Sequence, residues 1–204
     1  WPRGRVLGGS SSINGLLYVR GQPQDYDGWA QLGCTGWGWD EVLPFFKRSE
    51  NWEGEDRSGL RGKDGPLSVQ NSRLNREVVD LWIDAAEASG FRRNADYNGE
   101  DQEGVGYFQL TMRDGFRCSS AVAYLKPARG RKNLEIITNA QTEKVLIEDG
   151  RAVGVRARVN GKMTNIGARN EVILSAGSIG SPQILMLSGV GDGDELAKHG
   201  IQVQ

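Results

Sequence analysis

The chain has 204 residues, and its 25 lysines and arginines nearly balance 26 acidic residues, for a formal net charge of -1. That balance offers no electrostatic handle for nucleic acid or an anionic membrane surface. No apolar run is long enough to cross a bilayer, and no signal-peptide pattern precedes the first polar stretch.

The two cysteines, Cys34 and Cys118, are therefore expected as free thiols in a reducing compartment. That compartment is the cytoplasm, with a peripheral place at the inner membrane as the variant. The 29 glycines point to many tight turns and close backbone approaches. The chain opens Trp1-Pro2 without an initiator Met and stops at Gln204 in an apparent strand, Ile201-Gln202-Val203. It reads as the interior of a longer protein.

The first element is Arg3-Gly4-Arg5-Val6-Leu7-Gly8-Gly9-Ser10-Ser11-Ser12-Ile13-Asn14-Gly15, followed by an apolar segment, residues 16–19. Glycines that tolerate positive φ run into serines that cap well, so a loop turning into a short helix is expected. A phosphate held at that turn and a plain capped helix fit the spacing equally. Residues 21–29 form a polar turn and then a short helix with Tyr26, Trp29 and Leu32 on one side. Asp40 is the expected N-cap of a helix over 41–49, with Pro44 one turn in. Residues 50–64 are charged, glycine-rich and almost free of aliphatics, which predicts a solvated loop with lid behaviour as the minor alternative.

Leu67-Ser68-Val69 is an expected strand. Leu74, Val78, Leu81, Trp82, Ala85 and Ala88 recur at helical spacing up to Gly90, predicting a helix whose stripe enters the core. Residues 94–106 form an acidic connection, and Val105, Tyr107, Gln109 and Thr111 alternate as in a half-buried strand. Residues 117–125 read as a packing helix with a capping serine, ended by Lys126-Pro127. From Asn133 the pattern turns to β: residues 134–138, then 144–147, 153–159 and 162–167, with turns at Asp149-Gly150 and Asn160-Gly161. The last three make an antiparallel meander. Residues 171–175 form a near-continuous apolar strand of the buried parallel kind.

That strand leads into Ala176-Gly177-Ser178-Ile179-Gly180-Ser181-Pro182-Gln183-Ile184-Leu185-Met186-Leu187-Ser188-Gly189-Val190-Gly191. Ala176 and Gly177 leave little side chain above the strand end, where strand–turn–helix units hold ligands. Ser181-Pro182 reads as an N-cap followed by Pro at the first helical position, and Gly189 as the C-terminal stop. Alone, the segment is an ordinary strand-to-helix connection.

Together the two segments resemble, in order, the two signatures of the glucose–methanol–choline (GMC) oxidoreductases, FAD-dependent alcohol dehydrogenases and oxidases. The stretch over 25–50 and the meander also fit, so the resemblance covers the whole chain, and it is nearest to choline dehydrogenase-like bacterial members. It implies an α/β to α+β fold: an incomplete, Rossmann-like FAD-binding domain with an antiparallel meander, plus part of a substrate-binding domain. On that pattern, residues 1–64 form the FAD-side loop, helix and lid-like segment, 65–130 part of the substrate domain, and 131–204 the FAD-domain strand, meander and strand–helix unit.

Residue by residue, the resemblance puts Gly8, Gly9 and Ser10 along the FAD pyrophosphate and flavin, and Asn14 and Gly15 near the flavin's reactive edge. It puts the backbone of Thr142 at the adenine, and Ala176 and Gly177 at a strand end beside the cofactor. Ile13 stands where some members carry a histidine bound covalently to FAD, so FAD here is expected to be non-covalent. Family chemistry moves a hydride from an alcohol carbon to flavin N5 while a base near neutral pH takes the hydroxyl proton. The family's base lies near the C-terminus of the full protein, whereas the one histidine here, His199, reads as the end of a surface helix. The Gly-x-Gly-x-x-Gly turn of the first strand is absent too. The expected catalytic set within this chain is therefore empty.

The expected partners are an alcohol substrate and the remaining N- and C-terminal parts of the same protein. A non-catalytic domain binding a ligand or partner is the alternative. Trp29, Trp37, Trp39 and Trp52 invite an aromatic cage for a quaternary ammonium, but packing accounts for each.

Overall fold

A computed structural model describes residues 2–204 and divides the chain into two compact units, residues 1–134 and 135–204. Trp1 lies outside the described residues.

In the first unit the expected opening helix is a single 3-10 turn, Gly9–Ser12. Leu16 then takes a φ of 70°, and the chain runs on extended, with Leu17 bridged antiparallel to Leu110. The Tyr18 N–H donates to the Gln109 carbonyl at 2.9 Å. A left-handed residue cannot continue a helix, and a partner strand was waiting.

Helix α1 (Pro23–Gln31) opens with Asp25 Oδ2 accepting the Gln22 N–H at 2.7 Å. Tyr26 and Trp29 do share a face, their rings edge-to-face at 5.3 Å, but Leu32 lies past the helix and is 85% exposed. Helix α2 (Trp39–Ser49) begins two residues earlier than expected: Gly38 is its N-cap, Asp40 sits in the first turn, and Pro44 is accommodated inside. Asp27 Oδ1 accepts the Trp39 N–H at 2.8 Å and so ties the two helix starts together. Tyr26, Trp29, Trp37, Trp39 and Phe46 form one chain of ring contacts between them. Trp52 is elsewhere, buried, with the Arg61 guanidinium 4.1 Å from its ring centroid. The four tryptophans do not form a cage.

Residues 50–64 are not a free solvated loop. Strand β1 (Glu50–Trp52) leaves α2 directly and pairs in parallel with β2 (Leu67–Asn71), Glu50 opposite Leu67. β2 in turn pairs antiparallel with β3 (Gln109–Leu110). Two of the charges in this stretch, Glu50 and Arg61, are paired inside the protein, whereas Glu53, Glu55 and Arg57 stay exposed as expected. Glu50 is fully buried; Arg20 and Arg61 converge on its carboxylate, and Arg61 continues to Asp96. Asn98, Gln109 and Tyr97 complete the hydrogen-bonding around them. A sequence window records composition, not pairing, and paired charges can be buried where single ones cannot.

Helix α3 (Glu77–Ala88) forms, but the expected stripe does not enter the core. Ile83 is the residue that is buried, whereas Leu74, Val78, Leu81 and Trp82 are 61–73% exposed. Tyr107 Oη donates to Asp80 Oδ1 at 2.8 Å across this interface. Burial alternates from Val105 to Gln109 as expected, although only Gln109–Leu110 is a strand. A hairpin, β4 (Met112–Arg113) with β5 (Phe116–Arg117), turns at Asp114-Gly115. The next helix starts as a π turn, Ala121–Leu125, and runs on as α4 (Lys126–Ala128), so Lys126-Pro127 does not end it. Pro127 stands where the π turn gives way to α4.

The second unit is built on the meander, β6 (Ala140–Glu148), β7 (Arg151–Val159) and β8 (Lys162–Gly167), all antiparallel. Both turns use left-handed pairs, Asp149-Gly150 at φ 49° and 73° and Asn160-Gly161 at 48° and 85°. These are the turns whose twist matches a hairpin. Helix α5 (Gly177–Leu187) starts at Gly177, capped by Ala176, and carries Pro182 inside. The proposed Ser181 N-cap instead folds back, its Oγ accepting the Ala176 N–H at 2.9 Å. Gly189 ends the helix at φ 88°, as expected.

β6 slips register between Thr142 and Lys144, and the Val145 N–H donates to Ser188 Oγ at 2.8 Å, docking the end of α5 on the sheet. Helix α6 (Gly193–Lys198) ends at His199, which is exposed and faces Glu195. The strands expected at 134–138 and 171–175 do not form. Their apolar residues stay open, Ile137 at 43% and Ile173 at 75% exposed, because no described strand runs alongside to complete their hydrogen bonds.

Candidate functional site

Residues 8–15 make the loop on which most expected site residues fall. Gly8 and Gly9 have φ of 91° and 55°, conformations for which glycine is suited. The loop is held by polar groups rather than by burial, since its 3-10 turn contains no buried residue. Ser11 Oγ donates to the Gly8 carbonyl, and Ser12 Oγ to the Leu7 carbonyl at 2.9 Å.

The remaining restraints come from far along the chain. Arg117 donates from Nη1 to the Ser11 carbonyl at 3.0 Å and to Asn14 Oδ1 at 2.6 Å, and from Nη2 to the Asn14 carbonyl at 2.8 Å. Ser120 Oγ donates to the Gly8 carbonyl at 3.1 Å, and its N–H donates to Ser11 Oγ at 3.0 Å. The Thr111 N–H and Oγ1 both donate to the Leu16 carbonyl, at 2.9 and 3.1 Å.

The two flanks of this loop differ. A methyl group built on Gly8 would come within 3.1 Å of the Ala121 side chain, so that side is packed. One built on Gly9 or on Gly15 meets nothing within 4 Å. Gly15 has neither a positive φ nor a close neighbour to require it. Open backbone at Gly9 and Gly15, with the Ser10 hydroxyl and the Asn14 amide on the same exposed loop, suits an anionic, planar dinucleotide. FAD fits these residues.

Gly8, Gly9, Ser10, Asn14 and Gly15 thus lie together on one loop of the first unit. Thr142, Ala176 and Gly177 belong to the second. Thr142 sits on β6 at the edge of its register slip, paired with Ala157, and Gly177 opens α5 at φ 85°. His199 has the exposed helix-end position expected of it, with Glu195 as its side-chain neighbour. No group of three or more potential ligands that could hold a metal occurs among the described residues.

Beneath the loop's exit, Arg20 anchors the chain. Its N–H donates to Asn98 Oδ1 at 2.7 Å, its Nη1 to the Leu60 carbonyl at 2.7 Å, and Glu50 takes its charge. Burial lowers the proton affinity of the Arg61 guanidinium, and Asp96 opposes that effect. Burial likewise raises the Tyr97 phenol, against the Gln109 N–H donated to its oxygen. A cavity of about 430 Å³ opens beside this cluster between Trp52, Arg57, Asn71 and Glu100, away from the glycine loop.

Sequence reasoning located the loop but missed what holds it. Arg117 was legible as the start of a packing helix and of an Arg-x-Ser-x-Ala-x-x-Tyr-Leu segment similar to one near the substrate half in the GMC family, not as a contact of this loop. Its proximity to Ser11 and Asn14 depends on chain topology, over more than 100 residues of separation.

Comparison with known proteins decides the family. The model of the GMC oxidoreductases matches residues 1–201. The chain belongs to that family. A choline dehydrogenase described as oxygen-dependent, from Brucella anthropi, is 46% identical over 202 residues, which is 99% of this chain and 36% of that protein. Among solved structures, pyridoxine 4-oxidase from Mesorbium loti superposes with a TM-score of 0.90 at 33% identity, over 100% of this chain and 40% of that one. An FAD-dependent oxidoreductase from Chaetomium thermophilum gives 0.90 at 28% identity, over 98% of this chain and 37% of that one.

This GMC chain therefore spans little more than a third of the length of the curated relatives it matches. Its fold is that of a partial α/β FAD-binding domain, and the FAD expectation agrees with these neighbours. No helix among the described residues is long and apolar enough to cross a membrane.

Proposed function

We propose that this chain is the cofactor-holding portion of an FAD-dependent oxidoreductase acting on the CH–OH group of an alcohol. The observation that carries the reading is the glycine loop, open beside Gly9 and Gly15, in a chain that matches the family over residues 1–201. FAD, when bound, supplies the acceptor for the hydride leaving the alcohol carbon.

The residues of this chain bind and orient it. Gly8, Gly9 and Ser10 offer backbone and hydroxyl groups along the pyrophosphate and flavin. Asn14 and Gly15 would line the flavin's reactive edge, and with Ile13 the attachment would be non-covalent. In the second unit the backbone of Thr142 would serve the adenine, and Ala176 and Gly177 would leave room for the cofactor. The alcohol's proton goes to a base outside these 204 residues, so the chain alone turns nothing over. Residues 65–130 contribute to the substrate half. Similarity to choline dehydrogenases makes a small amino alcohol the first substrate to try. The compartment is taken to be the reducing cytoplasm, a reading supported by two thiols, Cys34 and Cys118, that are both free.

The test is expression of the complete coding region, followed by flavin absorbance after desalting. A panel of choline, benzyl alcohol and pyridoxine is then assayed with oxygen and with a dye acceptor. Releasable FAD and oxidation of at least one alcohol are expected. A purified protein with no flavin, or one that oxidises none of the panel with either acceptor, refutes the reading.

A further inference from the structure

Arg117 and Ser120 have no part in any of the roles above, yet they supply four of the long-range hydrogen bonds that reach the 8–15 backbone or Asn14. We propose that they are positioning residues for the FAD loop, setting the backbone shape and the Asn14 amide orientation that the cofactor meets. This rests on the FAD reading of the loop given above.

Three observations support it. First, the loop has local hydrogen bonds of its own but no apolar anchor. Val6, Leu7 and Ile13 are 37–56% exposed, and the 3-10 turn buries nothing. Gly8, Gly9 and Leu16 all occupy left-handed backbone, which an unrestrained chain leaves readily. Second, the guanidinium spans the loop. One nitrogen reaches the Ser11 carbonyl and Asn14 Oδ1 while the other reaches the Asn14 carbonyl, so the two ends of a three-residue span are fixed against one planar group. A fork of fixed geometry does this; a single ammonium cannot.

Third, Arg117 decides what Asn14 presents. Asn14 Oδ1 accepts from both Arg117 and the Leu16 N–H at 3.1 Å. With the oxygen occupied twice, Nδ2 is the end left to donate. That is the polarity required to meet an acceptor on a flavin. Ser120 acts from the opposite flank. Its hydroxyl takes the Gly8 carbonyl and its N–H holds Ser11 Oγ, on the packed side where Ala121 lies against Gly8. The open side, at Gly9 and Gly15, is left to the ligand.

The experiment uses the complete protein, purified as wild type, R117A, R117K and S120A. Each is stripped of FAD and titrated with it by flavin fluorescence, with visible circular dichroism of the bound flavin and a melting curve of the apoprotein recorded alongside. Loss of hydrogen bonds from a charged donor predicts that R117A binds FAD about tenfold to a hundredfold more weakly, with an altered flavin dichroism. R117K recovers little of this, because one point charge cannot reach three acceptors. Added guanidinium tightens FAD binding by R117A and leaves wild type unchanged. S120A shifts binding in the same direction by about threefold to tenfold, as the loss of one neutral hydrogen bond would.

If R117A yields no folded protein, S120A alone carries the test, since it removes a single hydroxyl. Wild-type affinity and wild-type dichroism in the folded variants overturn the proposal while leaving the FAD reading intact. A fall in melting temperature without a change in affinity overturns it as well, by assigning the two residues to folding only. A wild-type protein that takes up no FAD overturns the parent reading, and this proposal with it.

Discussion

Glu50→Gln isolates the buried charge cluster of the first unit. The carboxylate is fully buried, and Arg20 and Arg61 both ion-pair with it, at side-chain exposures of 2% and 0%. Arg61 Nε donates to it at 2.9 Å and the Gly62 N–H approaches it at 3.4 Å. A glutamine keeps one acceptor oxygen and the shape but removes the negative charge. Arg61 then keeps Asp96, which is 28% exposed and also accepts from Gln109 Nε2, while buried Arg20 loses the carboxylate it pairs with. Removing one partner from a buried pair costs about 3–5 kcal/mol, and the surviving acceptor puts this substitution near the lower end. At about 3 °C per kcal/mol for a unit of this size, the melting temperature falls by about 10 °C.

The assay is a thermal melt followed by circular dichroism, run at low salt and at about 1 M salt. A shielded pair responds little to ions, so the wild-type melting temperature and the size of the fall are both expected to be insensitive to salt. Glu55→Gln is the control, because the Arg57–Glu55 pair is exposed at 85% and 69% and its loss leaves the melt unchanged. A fall no larger than that of the control, or a wild-type melt that high salt lowers to the variant's value, refutes the claim that buried pairing organises residues 50–64.

Tyr97→Phe removes the acceptor of the Gln109 N–H, 2.7 Å away, and the donor to the Tyr18 carbonyl at 2.9 Å. About 1–3 kcal/mol of stability is lost, measured by urea unfolding. The same residue sets an alkaline limit. Because burial raises its proton affinity above the ordinary value of 10.0, its contribution is complete below that pH and is lost as the pH rises through the raised value. Stability measured from pH 8 to 11 therefore falls more steeply in wild type than in Y97F. Ser188→Ala orphans the Val145 N–H and loosens α5 from the meander, at about 1–3 kcal/mol. Amide exchange at Val145 is the readout, and unchanged protection there contradicts it. Gly161→Ala has open space for its methyl but a φ of 85°, so the penalty of about 1 kcal/mol is purely conformational. Faster exchange confined to β7 and β8 is expected, and spread across the unit it would argue for a steric effect.

The order and turns of the meander were legible, because Asp149-Gly150 and Asn160-Gly161 encode their turns locally, although β6 begins at Ala140 rather than at 144. The same holds for helices α1 to α3, the Gly189 stop and the family signatures, whose residues are contiguous. In the candidate site the glycine conformations were legible at residues 8–9, whereas the spacing of residues 8–15 fitted a plain capped helix as well as a ligand loop.

The rest required partners that a sequence window cannot see. Residues 134–138 and 171–175 have strand composition but no adjacent strand, and extended backbone becomes a sheet only when another chain segment takes its hydrogen bonds. The α3 stripe has helical periodicity, yet which face is buried depends on what packs there, and in this chain that is Ile83 rather than Trp82. Glu50 and Arg61 look like solvated charge in sequence and are interior ions in space, with half-buried Asp96 beside them. The opening glycine loop combines both lessons. Its chemistry is written in residues 8–15, but its shape is set by Arg117 and Ser120, because conformations that no apolar side chain anchors must be held by hydrogen bonds brought from elsewhere in the fold.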